Sequence, residues 1–213
     1  MNTNFNTKTF KNLNERDSLQ DLFDNSFIKM DTISLRNHYQ KLRKLEFDSP
    51  LDFALENVDI SSLVENLTLA CDIICTENGT NFIYCGNSTS IAKANQKFIT
   101  KAFLNLLSNA FLYGCGNLIT VKTIEKSNFI SIEVQNAGWL GSDFAFGDGL
   151  KYVNNICRNL NGHFFISTDL LSVKSVMLIP KSRGFKDVVR NSDFCELLGD
   201  RLSPVYVEFF GIK

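Results

Sequence analysis

Apolar positions in this chain follow two periods, and the alternation between them lays out the fold. Helical spacing runs through 18–30 and 32–45, where Ser18 and Asp31 stand as N-caps, and the Asp48–Ser49–Pro50 step disfavours continuation. A third helix is predicted over 61–74, capped by Asp59 or Ser61, and a turn at Asn78–Gly79–Thr80 leads to a short strand over 81–85. Asn95 then caps a long helix. Its apolar stripe is Phe98, Ile99, Ala102, Phe103, Leu106, Leu107 and Ala110, and the Gly114–Cys115–Gly116–Asn117 run ends it. Alternating strands at 117–124 and 129–136 read as a hairpin about Lys126–Ser127–Asn128. A helix over 149–160 closes at Asn161–Gly162, and a second hairpin follows at 163–169 and 172–180. Beyond 181 the pattern predicts a helix over 187–199 and a final apolar strand over 204–210. No internal repeat is present.

The central order of helix, strand, helix, hairpin, helix, hairpin predicts an α+β protein. Helices pack on one face of a mixed sheet as a two-layer α/β sandwich, with an N-terminal helical segment before it. Four regions follow: a flexible N-terminus at 1–16, rich in Asn and Thr, a helical segment at 17–57, a globular domain at 58–180 and an extension at 181–213.

With 213 residues, 44% of them hydrophobic, the chain suffices for one good core. Its 22 basic and 23 acidic residues give a net charge of -1 without a Lys/Arg stripe, which argues against a dedicated nucleic-acid binder. The polar start lacks the apolar run of a signal peptide, and no segment is long enough to span a bilayer, so a cytoplasmic location is expected. Six cysteines without a CxxC, and only two histidines, give no zinc framework; Cys71 and Cys75 lie one helical turn apart, and buried reduced thiols are the expectation.

Three short motifs carry the candidate chemistry. Asn105–Leu106–Leu107–Ser108–Asn109–Ala110 sets two amides four residues apart on one helix face. Asn136–Ala137–Gly138–Trp139–Leu140 ends a strand, and Gly147–Asp148–Gly149–Leu150 opens a helix, where backbone N–H groups meet anions. In this order the motifs resemble the GHKL ATPases, in particular the ATP-binding domain of sensor histidine kinases, over about residues 58–180 and starting at Val58–Asp59–Ile60. The resemblance implies a Bergerat-type sandwich that binds ATP and Mg²⁺. It makes Asn109 the metal ligand, since an amide oxygen can help hold Mg²⁺ between phosphate oxygens. Asn105 takes the catalytic-glutamate position of other GHKL ATPases and Asn136 that of the adenine-reading carboxylate. Tyr113, Gly138, Gly147, Gly149 and Leu150 complete the implied nucleotide-binding set.

Departures from the family pattern are concrete. Leu112 stands where a lysine is common and Leu140 where a second glycine belongs, and Ser172–Val173 replaces Gly-Thr. Trp139–Phe146 is all that remains of a long lid. Trp139 is expected to be buried against the sheet rather than stacked on a base, and Asp148 to cap its helix. His38 is the sole candidate phosphoacceptor, with no acidic residue after it, and His163 reads as structural.

Three functions stay open. The first is a histidine-kinase-like ATP-binding protein of two-component signalling, an ATP-dependent phosphotransferase if active, passing phosphoryl to a histidine on a partner. The second is a degenerate GHKL fold without ATP, serving as a regulatory or dimerisation module. The third is a histidine phosphotransferase using His38. The implied partners are a response regulator or histidine-bearing signalling protein, and a second copy of the chain joined through the N-terminal helices.

Overall fold

The computed structural model describes residues 54–86, 89–140, 145–182 and 187–209. The readings at 1–16 and over the helices of 17–45, His38 included, lie outside the described residues.

Eight strands and five helices make up the described part. Strand β1 (Glu56–Asp59) leads into helix α1 (Ile60–Cys75), then β2 (Asn81–Gly86), β3 (Ile91–Ala94) and α2 (Gln96–Tyr113). After these come β4 (Leu118–Glu125), β5 (Phe129–Ala137), α3 (Asp148–Asn159), β6 (His163–Thr168) and β7 (Ser172–Pro180). A tail of β8 (Val188–Val189), α4 (Phe194–Gly199) and α5 (Pro204–Phe209) ends the described chain.

The larger sheet has the order β2-β4-β5-β7-β6. Its β2–β4 pair is parallel and the other pairs are antiparallel. Period-2 alternation turns Ile119, Val121, Ile130, Ile132 and Val134 toward the helices, where they share a core with Ile99, Phe103, Leu106 and Leu107 of α2. This is an α+β sandwich of helices on a mixed sheet. Asp59 caps α1 by accepting from the Ser61 and Ser62 N–H groups, and Asn95 caps α2 by accepting from Phe98 N–H at 3.2 Å.

The second sheet, ordered β3-β1-β8, was not predicted. Its strands are two to four residues long, too short for the alternation to register. The break drawn at 57/58 falls inside β1, whose Glu56 opposes Ala94 and whose Asn57 opposes Val188. The described residues of the 187–209 tail likewise contribute to the main body, because β8 completes this sheet and α5 packs on α1 and α2.

Two tail predictions need correction. The run over 204–210 alternates like a strand, but Pro204–Phe209 is a helix. Pro204 occupies its first position, where a missing N–H costs nothing, and Val207 N–H donates to Ser203 C=O at 3.1 Å. Tertiary packing decides the outcome: Phe209 meets the Phe82 and Phe111 rings, with centroids 6.1 and 5.9 Å away. The helix predicted over 187–199 is instead β8 followed by the short α4, which starts at a capping box between Asp193 and Glu196.

Candidate functional site

Asn105 is 2% exposed, in the middle of α2. Its Nδ2 donates to the Lys101 carbonyl at 2.9 Å, and its Oδ1 faces the start of α3. A Cβ added at Gly149 would lie 2.7 Å from that oxygen, so the glycine is what lets α3 seat on Asn105. Asn109 follows one turn later on the same face, half-buried, and makes no side-chain hydrogen bond among the described residues.

At the C-terminal end of α2 the surroundings change. Tyr113 is 76% exposed, and Leu112 is exposed as well. The Asn136 amide lies close by: a Cβ on Gly114 would stand 3.1 Å from its Nδ2. That Nδ2 donates to the Ala137 carbonyl at 2.9 Å, which leaves Oδ1 as the group available to accept a hydrogen bond. Gly138 has φ 150, a conformation L side chains rarely adopt, and a Cβ there would lie 3.5 Å from Asn136 Nδ2 and 3.7 Å from the Tyr113 carbonyl oxygen. The strand end is fastened on both sides, by Cys115 N–H to Ala137 C=O at 2.9 Å and Gly138 N–H to Leu171 C=O at 3.0 Å. Trp139, expected to be buried, is 75% exposed, lying just beyond the C-terminal end of β5.

The turn before α3 is anchored where Phe146 meets Phe164, ring centroids 5.6 Å apart. The cap position belongs to Gly147, in extended backbone without a side-chain cap, and not to Asp148. Asp148 is the first helical residue and pairs with Lys151 at 3.2 Å, so the turn carries no net charge of its own. The free N–H groups of the first turn, Asp148 through Leu150, remain a donor set for an anion. The Leu150 side chain is buried, so only its backbone can contribute.

The glycine turn and the end of β5 each meet α2, at different points along it. Asn105 touches Gly149, Asn136 and Gly138 meet the end of α2, and Asn109 lies between them. Nine residues separate Asn105 from Gly114, about 14 Å along a helix.

Other contributors carried no sequence signal. The buried Glu208 of α5 accepts from Ser108 Oγ at 2.6 Å, between the paired amides of α2 and 100 residues away in sequence. One turn before Asn105, Lys101 holds its ammonium 5.4 Å from the Tyr152 ring centroid, a cation–π contact. A shallow apolar recess among Leu55, Phe98, Ile156 and Leu160 adjoins the opposite end of α2, away from Asn136. Among the described residues no group of three or more His, Cys, Asp and Glu side chains could hold a metal ion. Cys71, Cys75 and Cys157 are buried; desolvation raises the Cys71 thiol and pushes Cys157 up to about 12. His163 sits at the start of β6 beside the Phe129 ring, a structural position.

No family model matches the chain, and no curated protein does either. Solved structures do match. The catalytic domain of histidine kinase ThkA, in a nucleotide-free form, superposes with TM-score 0.54 at 17% identity, covering 60% of this chain and 95% of that one. The ATP-binding domain of PrrB from Mycobacterium tuberculosis gives 0.51 at 17% identity, over 60% of this chain and 98% of its own. This chain has the fold of a histidine-kinase catalytic domain. ThkA in complex with the response regulator TrrA gives 0.57 at 15% identity; there the match covers 85% of this chain but 53% of the ThkA chain. At these identities the likeness concerns the histidine-kinase ATPase fold and not its chemistry. Among the described residues no helix is long and apolar enough to cross a membrane.

Proposed function

We propose that this chain binds Mg–ATP along the α2 edge as a divergent histidine-kinase-type ATP-binding unit. The observation that carries the reading is the meeting of Asn136, Gly138 and Tyr113 at one end of α2 with Asn109 one turn inward. That edge offers an in-plane acceptor for an adenine amino group, an exposed ring beside it and an uncommitted amide oxygen toward the phosphates.

The donor set fits Mg²⁺ of the kind that is held mainly by a nucleotide's own phosphates, with Asn109 as the protein's ligand. Bound there, the ion would neutralise phosphate charge and polarise the transferable group. The N–H groups at Gly149 and Leu150 would meet phosphate, and Gly147 would let the backbone approach. Asn105 would act by positioning, since its amide holds α3 rather than facing solvent. If active, the unit would pass the γ-phosphoryl to a histidine on a signalling partner. A response regulator is the partner class suggested by the ThkA complex.

A second reading is favoured by one observation. Asn105 already fills the space over Gly149, so the glycine turn has a packing reason that needs no phosphate. On that reading the fold is a regulatory or dimerisation module. Calorimetry and thermal denaturation with millimolar Mg–ATP decide between them: binding to the native state must raise the melting temperature. The absence of both heat and a melting shift would remove the nucleotide reading. Weaker binding in Asn136→Ala and Asn109→Ala, with unchanged melting of the free protein, would support it.

A further inference from the structure

Resting on the nucleotide reading of this edge, we propose that Trp139 is a base-stacking residue that selects adenine nucleotides together with Asn136. Trp139 has the largest apolar side chain in the protein and is 75% exposed, while its backbone neighbour is firmly held. Gly138 N–H donates to Leu171 C=O at 3.0 Å, and a Cβ added there would stand 3.5 Å from the Asn136 amide nitrogen and 3.7 Å from the Tyr113 carbonyl oxygen. Two exposed rings, Tyr113 and Trp139, thus leave backbone segments joined by Cys115 N–H to Ala137 C=O, with the Asn136 amide beside Gly114 and Gly138.

With its Nδ2 committed to Ala137 C=O, Asn136 reads a base in its plane by one hydrogen bond, and a neutral amide does so more weakly than a carboxylate. Aromatic faces act above and below that plane and supply affinity the edge contact lacks. The position after Gly138 is therefore well suited to an indole: the strand end is fixed, so ordering the ring on a base requires little further loss of freedom. The neighbouring Leu170 and Leu171 are also exposed and widen the apolar surface, but they offer no flat face to a base. A protein-docking role for the whole patch is the competing outcome.

Trp139 is the sole tryptophan of the chain, so intrinsic fluorescence reports on this ring alone. Mg–ATP and Mg–ADP are titrated into the full chain by fluorescence and calorimetry in parallel, with Mg–triphosphate as a probe that lacks the base. The proposal expects a fluorescence change with the calorimetric midpoint, absent for triphosphate. Trp139→Ala should weaken Kd by about tenfold, and Trp139→Phe should restore most of it. Because the ring is exposed, the melting temperature of either variant should match the parent. Heat of binding with silent fluorescence and an unaltered Kd in Trp139→Ala would overturn the stacking role and leave ATP binding standing, pointing the patch toward a protein. Absence of binding to the parent chain by either method would overturn the nucleotide reading and this inference with it.

Discussion

The two ends of the candidate site on α2 differ in how their polar groups are used. At the Asn105 end the amide is buried, its donor committed to Lys101 C=O and its oxygen set against Gly149. At the Asn136 end the amide keeps an acceptor available, and two aromatic rings stand in solvent beside it. The first end is filled by the protein itself, and the second is open to something else. A signature residue can thus be kept for packing at one end of a site and for contact at the other. Identical asparagines give no hint of which.

That contrast can be strained from several sides. The largest effect is expected from Glu208→Ala, which removes the charged acceptor of the buried Ser108 hydroxyl and leaves it only the longer 3.3 Å contact to Asn105 C=O. We expect a loss of about 2 kcal/mol in stability, read by urea denaturation. Unchanged stability would mean that the tail does not brace α2.

A smaller loss should follow Gly149→Ala. Alanine gains about 1 kcal/mol in helix propensity over glycine, yet its Cβ would stand 2.7 Å from Asn105 Oδ1, and overpacking of this kind costs about 1–3 kcal/mol. The sign should reverse in an Asn105→Ala background, where the obstacle is gone and only the propensity gain remains. A Gly149→Ala loss that persists there would refute the packing account of this glycine.

At the open end, Asn136→Ala should leave thermal stability within about 0.5 kcal/mol, as surface substitutions do. It should weaken Mg–ATP by about fivefold, the worth of one neutral hydrogen bond of about 1 kcal/mol. A drop in melting temperature without a change in Kd would transfer Asn136 to the structural category.

The mildest perturbation is acid. The Leu171 N–H, followed by the Ser172 hydroxyl and N–H, holds the Asp169 carboxyl below its ordinary range. A depressed carboxylate pKa stabilises the turn above the unfolded value of about 4 and loses that contribution as pH falls through the folded one. Amide protection factors at Leu171 and Ser172 should therefore fall below about pH 4, and Asp169→Asn should remove the dependence. Because Leu171 C=O also fastens Gly138, the open end should loosen before the filled one.

Local signals in the sequence were strong for long elements and failed for short ones. The caps Asp59 and Asn95, the hairpins β4–β5 and β6–β7 and the helix α2 follow from residue chemistry within a few positions, and there the structure agrees. Strands β1, β3 and β8 have too few residues to show a period and exist because they pair with one another across the chain. The 204–209 helix was invisible for a related reason: an apolar run of this length suits either period, and the Phe82, Phe111 and Phe209 contacts select one.

The sequence by itself determined that Asn105 and Asn109 share a helix face and that Asn136 ends a strand, because helix and strand spacing put them there. Only the tertiary structure decided their condition. Burial of Asn105, exposure of Trp139 and the reach of Glu208 to Ser108 depend on which surfaces meet, and that is a property of packing between distant segments rather than of local pattern.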